Sequence, residues 1–435
     1  MATDTAAIPT SSSALRGRDF RLLWTAESVN KTGTAVTTFA LPLVALRTLG
    51  ADTLMMGVLN AMLWLPWLFI GLHAGAWADR RSRRPLMIGC QIASAILIVS
   101  VPVLAELKLL TMWYLLVIAF AAGCSEVLFT AAYNAFVPFL VGKSELVAAN
   151  TRLSGSEQAA SIGGPGIGGL IAQLSSAVFG LFVDAASFLA SVACLRSIRA
   201  REPSGRPEER PDRPEERPDQ PRTSLRADIR ESIAFVFQDP YLRVLTGSTA
   251  AANLLLGGIA ALVVVFLVRY DRLSPWVVSV DTIVISVGGL LGAIAAARIG
   301  KVLGSARALL TAPVTDCFML LFPLASRDPL LLVLALAGVG VWATGVVVRG
   351  VITVSFRQAY CPPGMRGRVA MSIRFISFGV WPLGSLLGGV LGTVFDVRTA
   401  LFILAGANVI SDIWLFIGPM KRSRDLPAAA AAASD

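Results

Sequence analysis

The chain has 435 residues, 55% of them hydrophobic and only 15% charged, with a formal net charge of +10. Soluble domains usually carry about 25% charged residues, so this balance excludes an ordinary water-soluble enzyme or binding module and points to lipid. The basic residues recur in short clusters between apolar runs and never gather into one patch, which fits membrane topology and argues against a nucleic-acid partner.

Residues 1–19 lack the basic and then apolar regions of a cleaved signal and read as a cytoplasmic tail. Twelve apolar segments follow, each of a length suited to a transmembrane helix, at 20–48, 53–78, 85–105, 110–140, 146–174, 177–197, 242–268, 275–298, 305–325, 329–355, 366–394 and 398–419. The predicted fold class is therefore an all-α membrane protein with twelve transmembrane helices in two pseudo-symmetric six-helix halves, 20–198 and 225–420. Between them, residues 199–224 contain "RPEERPD" twice in tandem, at 206–212 and 213–219. Proline at that density with alternating charge cannot build a core, so this stretch reads as a disordered linker. Leu225, Ile229, Ile233 and Phe237 then fall at helical spacing and predict an amphipathic segment on the membrane face. Residues 421–435 form a second tail.

Cation placement orients the spans. One set of connections carries Arg80, Arg81, Arg83 and Arg84, then Arg298, Lys301 and Arg307, then Arg357, Arg366 and Arg368, and both tails share its basic character. The opposite set has only scattered cations. The positive-inside rule then puts both termini in the cytoplasm of a multi-pass protein in a bacterial cytoplasmic membrane. The five cysteines have no metal or redox spacing, and the single histidine, His73, reads as a packed or interfacial residue. No metal, cofactor, nucleotide motif or nucleophile–base set is apparent, so the chain is read as no enzyme.

"GAWADRRSRRP" after the second span has a worn counterpart, "ARIGKVLGSAR", after the eighth. "GGPGIGG" in the fifth is partly echoed by "WPLGSLLGG" in the eleventh. With these motifs the chain resembles the major facilitator superfamily of secondary transporters. Gly75, Asp79, Arg80, Arg83 and Arg84 match that superfamily's signature between helices two and three, with Ser82 where glycine is usual. Gly164, Pro165, Gly168 and Gly169 match the Gly-Pro-x-x-Gly-Gly signature of its antiporters. "RDFRLLWTAESV", "VDAASFLAS" and "RQAYCPPGMRGRVAMSIRFISFGVWPLGSLLGG" look like the bacterial drug, macrolide and enterobactin efflux branch. The resemblance implies that the first signature is a cytoplasmic gate latching the two halves. It also implies that the second controls leakage at the outer gate, and that helices one, four, seven and ten line a central cavity.

Ionisable groups inside spans are costly and so are functional candidates. Glu27, Lys31, Thr34 and Thr38 share one stripe of the first span, and Glu126, Thr130, Tyr133 and Asn134 share one of the fourth. Thr249 and Asn253 lie on the seventh span, Trp342 and Arg349 on the tenth. Glu126 is the first candidate for a proton-coupled carboxylate. The Glu27/Lys31 pair, one turn apart, is the second, either as a self-neutralising ion pair or as one that opens on binding. Relatives in the superfamily commonly carry acids where this chain has Thr34 and Thr130. Asp281, Asp316 and Asp412 read as helix-to-helix hydrogen-bonding residues.

The expected function is secondary active export of a small amphipathic compound, a drug or secondary metabolite, by proton antiport through alternating access. An importer or uniporter of a narrow substrate, or a non-transporting membrane sensor, remains the alternative. Expected partners are a small-molecule substrate, protons and the lipid bilayer, with the chain a monomer. If the linker follows the halves passively, shortening residues 203–220 leaves transport largely intact, and abolished flux in correctly inserted protein would rule the passive role out.

Overall fold

The computed structural model describes residues 17–71, 74, 82–175, 177–200, 225–362 and 365–427. Residues 201–224 of the linker and the Gly75, Asp79 and Arg80 positions of the gate motif lie outside them. Every regular element among the described residues is helical: α1 (Arg18–Arg47), α2 (Thr53–Phe69), α3 (Arg83–Glu106), α4 (Met112–Leu174), α5 (Ala177–Ser197), α6 (Leu225–Gln238), α7 (Pro240–Val264), α8 (Pro275–Leu303), α9 (Ser305–Leu309), α10 (Ala312–Cys317), α11 (Pro329–Tyr360), α12 (Arg366–Gly379), α13 (Trp381–Val394), α14 (Val397–Ser411) and α15 (Ile413–Ile417). A π-helical turn, Val265–Tyr270, prolongs α7, and 3-10 turns at Phe318–Leu324 and Pro419–Arg422 follow α10 and α15.

Three helix starts follow one local rule. Asp239, Ser274 and Asp328 each precede a proline, which supplies a helical φ and no amide to satisfy. Their side chains then accept from the first free amides: Asp239 from Tyr241 N and Leu242 N at 2.9 and 2.8 Å, Asp328 from Leu330 N at 2.8 Å. The breaks are equally local. The expected spans 110–140 and 146–174 run together as α4, bent at Gly142, whose φ of 73° suits a residue without Cβ. The expected span 305–325 is divided into α9, α10 and a 3-10 turn. Pro313 and Pro323 withhold amides there. The span 366–394 breaks between α12 and α13, just ahead of Pro382.

Nine helical stretches among the described residues are long and apolar enough to cross a membrane. The other three expected spans are also helical. They are α1, which is not apolar enough to qualify, the 17-residue α2, and the part of α4 after Gly142.

The chain divides into two compact units, one from Met1–Leu41 and Phe69–Arg213, the other from Pro42–Leu68 and Pro214–Asp435. In the first, Phe20, Leu23, Met87, Phe129 and Phe136 form a core shared by α1, α3 and α4. Buried polar ties join the same helices. Ser94 and Ser125 lie 2.9 Å apart across α3 and α4, and Asp184 of α5 accepts from Thr37 of α1 and from Ser187. Glycine makes the α1–α5 contact possible. A Cβ at Gly33 would stand 2.6 Å from the Ser187 Cβ and 2.5 Å from the Asp184 carboxylate.

The second unit packs α13 between α2 and α7 along a glycine seam. A Cβ at Gly57 would lie 2.6 Å from the Ser385 carbonyl, and one at Gly257 the same distance from that of Trp381. Asn60 of α2 accepts from Trp381 Nε1 at 3.1 Å and Ser385 Oγ at 2.8 Å. So α2 packs as a member of this unit, although the six-plus-six reading counts it with the first half. In α6, Val236 is buried while Phe237 is exposed, as an amphipathic helix requires.

Gly33→Ala is expected to destabilise the first unit by about 1–3 kcal/mol, the usual cost of overpacking. Thermal unfolding of the purified protein checks this. Gly155→Ala serves as the control, because a Cβ there meets nothing within 4 Å.

Candidate functional site

In the first unit α1 and α4 bring together two candidates that the sequence left as alternatives. Lys31 Nζ stands 3.2 Å from Glu126 Oε1 and 3.6 Å from Glu27 Oε1, so a single ammonium bridges a carboxylate on its own helix and one on the neighbour. Their local origin is simple. Glu27 and Lys31 are four residues apart on α1, hence one above the other. Glu126 projects from the middle of Met112–Gly142, a stretch long and apolar enough to cross a membrane. Glu27 is the more buried carboxylate, with a side chain 9% exposed against 32% for Glu126, and its second oxygen has no partner among the described residues.

Two neighbours of this cluster were missed. Glu157, on α4 beyond Gly142, is near enough to act electrostatically on Glu27, Lys31 and Tyr133. The indole N–H of Trp24 donates to Ser156 alongside it, tying α1 to this part of α4. Asn30 is fully buried, yet neither atom of its amide finds a partner among the described residues. An acid within the apolar stretch 146–174 and an amide beside Lys31 were the available signals.

The rest of the α1 and α4 stripes surrounds this cluster. The Thr34 hydroxyl is buried and unpartnered among the described residues, while Thr38 donates to the Thr34 carbonyl at 2.9 Å. Tyr133 is half-buried and stacks on Phe129 with ring centroids 6.0 Å apart, Thr130 is half-buried and Asn134 exposed. The site thus combines acids, one cation, unsatisfied hydrogen-bonding groups and an aromatic pair.

In the second unit the candidates are more occupied. Thr249 donates to the Leu245 carbonyl at 2.7 Å, and Asn253 of α7 to the Ser377 carbonyl of α12 at 2.7 Å. Trp342 is half-buried, its indole N–H unpartnered among the described residues. Arg349, expected on a cavity wall, is turned instead toward α10. Its Nη2 meets Asp316 Oδ1 at 2.7 Å, and its Nη1 donates to Thr315 Oγ1 at 2.8 Å and to the Ala312 carbonyl at 3.2 Å. A buried carboxylate is a strong partner for a guanidinium, so this pairing fixes the direction of the Arg349 side chain.

Of the gate motif, Arg83 and Arg84 are described. Arg83 is buried, and Arg84 donates to the carbonyls of Leu195 and Arg196 at 2.8 and 2.6 Å, capping the end of α5 in its own unit. In the antiporter motif, Gly164, Pro165, Gly168 and Gly169 are all buried. Gly164 faces Ala35 so closely that a Cβ would collide, and Gly168 sits against Val36 and Phe39, so this run seats α4 directly on α1 beyond Thr34.

The chain is 26% identical over 370 residues to the multidrug efflux pump Tap of Mycolicibacterium fortuitum, a match covering 83% of this chain and 86% of that protein. Among solved structures it is similar to the nucleoside transporter NupG, with a TM-score of 0.75 at 14% identity over 93% of this chain and 99% of the other. It is also similar to a bacterial homologue of the iron transporter ferroportin in its inward-facing state, with a TM-score of 0.71 at 16% identity over 92% and 98%. These likenesses show the fold, and residues 9–433 match the family described as transmembrane secretion effector. The chain belongs to this family of major facilitator transporters.

Proposed function

We propose that the protein exports a small amphipathic compound, a drug or secondary metabolite, in exchange for protons, by alternating access of two six-helix halves comprising twelve spans. The observation that carries this reading is the Glu27–Lys31–Glu126 cluster with Glu157 beside it. Two carboxylates share one ammonium, which leaves an excess of negative charge on apolar helices. Uncompensated charge there is expensive. The cluster therefore favours taking up protons or a cationic group of the substrate, and the two compete for the same carboxylates. Competition of that kind is what antiport requires, since bound substrate is released when protons return.

Tyr133, half-buried about two turns along α4 from Glu126 and backed by Phe129, supplies an aromatic face suited to the hydrocarbon part of such a compound. The likeness to a multidrug efflux pump supports the direction and the substrate class. The Gly-Pro-Gly-Gly run, which holds α4 tightly on α1, supports exchange over uniport by the antiporter resemblance. The same reading places the protein in a bacterial cytoplasmic membrane as a monomer with both termini inside, and gives the gate motif the role of a latch.

Accumulation of a panel of dyes and antibiotics in an efflux-deficient bacterium tests the export reading. Expression is expected to lower accumulation of cationic members, and a protonophore to restore it; unchanged accumulation with the protein in the membrane would favour import or a sensor. In proteoliposomes, Glu126→Gln is expected to reduce flux driven by a pH gradient by about 5–150-fold, the span of a typical coupling free energy. Full pH-driven flux in that variant removes Glu126 from the coupling role.

A further inference from the structure

We propose that Glu27 and Asn30 of α1 and Ser191 of α5 form a binding site for a small monovalent cation of the sodium class, on the seam between these helices in the first unit. The site shares Glu27 with the cluster assigned to proton exchange, but not its chemistry. Contacts one turn away fix the register of the seam. Thr37 and Gly33 of α1 lie against Asp184 and Ser187 of α5, and Val36 and Ala40 lie against Gly180. The two helices are therefore antiparallel. Asn30, three residues before Gly33, and Ser191, four after Ser187, are the next pair along the same two faces.

Both members of this pair are 0% exposed, yet neither the Asn30 amide nor the Ser191 hydroxyl has a partner among the described residues. Glu27 is 7% exposed and lies one turn before Asn30, with its Oε2 likewise buried and unpartnered among them. Lys31 approaches the other oxygen, Oε1, at 3.6 Å. Thr34, one turn beyond Asn30, behaves in the same way. A hydroxyl inside a helix commonly bonds to the carbonyl four residues back. On α1, Thr25, Ser28, Thr32 and Thr38 all do so, at 2.7–2.9 Å. Thr34 forgoes that bond to the Asn30 carbonyl. Ser191 forgoes it on α5, where Ser197 takes the Ala193 carbonyl at 2.8 Å.

An unmet polar group in an apolar bundle is costly, and a set of them on one seam marks a place for a ligand that arrives from outside. Their chemistry names its class. A carboxylate oxygen, an amide oxygen and hydroxyls are hard donors, which suit a hard cation. Among the described residues no three acidic, histidine or cysteine side chains gather as a metal-binding group. One carboxylate with neutral oxygens suits a monovalent ion. Glu27 then divides its two oxygens, one toward Lys31 and one toward the ion, and the ion ties α1 to α5 through Ser191.

Equilibrium binding of radioactive sodium to the purified protein tests the proposal. Saturable binding is expected, displaced by excess sodium chloride and not by choline chloride at equal ionic strength. Ser191→Ala removes one oxygen and little volume, and is expected to raise the half-saturating sodium concentration by about 10-fold or more. Asn30→Ala is expected to raise it further. Thr25→Ala, whose hydroxyl is bound to the Arg21 carbonyl, is expected to bind sodium as the native protein does. No saturable binding by the native protein leaves these groups to water and overturns the proposal. Native affinity in both Ser191→Ala and Asn30→Ala puts the ion elsewhere and overturns it too. If Asn30→Ala does not fold, the Ser191→Ala result decides alone. The assay measures no flux, so its failure leaves the proton-exchange reading intact, and that reading can fail in proteoliposomes with sodium binding unchanged.

Discussion

Hydrocarbon offers no partner for a polar group, and the arrangement of this bundle follows from that single constraint. Each polar side chain on an apolar helix must meet another, so the polar residues set which helices touch. Asp184 finds Thr37 and Ser187, and α5 is held on α1. Asn60 finds Trp381 and Ser385, and α2 is held on α13. Lys31 finds Glu126, and α1 is held to the middle of α4. These ties are effective because glycine lets the backbones approach. Dispersion between close helices substitutes for the hydrophobic drive that lipid removes.

At the candidate site the constraint is met incompletely. Among the described residues, one oxygen of Glu27, the amide of Asn30 and the Thr34 hydroxyl find no partner, and all lie along α1 within two turns of Lys31. A structural network of that size would be expected to close on itself. An open one has capacity for something that comes and goes.

Much of the fold was legible in the sequence. Apolar length located the helices, and the dipeptides at Asp239, Ser274 and Asp328 marked three starts with a mechanism attached. The breaks were harder. Gly142, Pro313 and Pro382 lie in apolar runs whose hydropathy hides them, although each carries a known backbone effect. For the site, a stripe of polar residues gives an angle on one helix but not the identity of the helix opposite. So Glu126 and the Glu27/Lys31 pair were read as rivals when they share one ammonium, and Arg349 and Asp316 were read separately when they pair. Glu157 was passed over because its importance comes from the fold, through the bend at Gly142, and not from its own neighbours in sequence.

The glycine seam between α2, α7 and α13 has a consequence for how such a sequence can evolve. At Gly57, Gly257 and Gly384 an added Cβ would run into main-chain carbonyls, which no rotamer change can move aside. Outward-facing residues such as Trp113, Ile294 and Ile417, 70% exposed or more, need only be greasy. Most positions can therefore drift among apolar types while a sparse set of small residues stays fixed. Overall identity then becomes a poor measure of kinship. A 26% match can span most of a pump, and the spacing of its glycines would identify a distant relative more reliably than the residues between them.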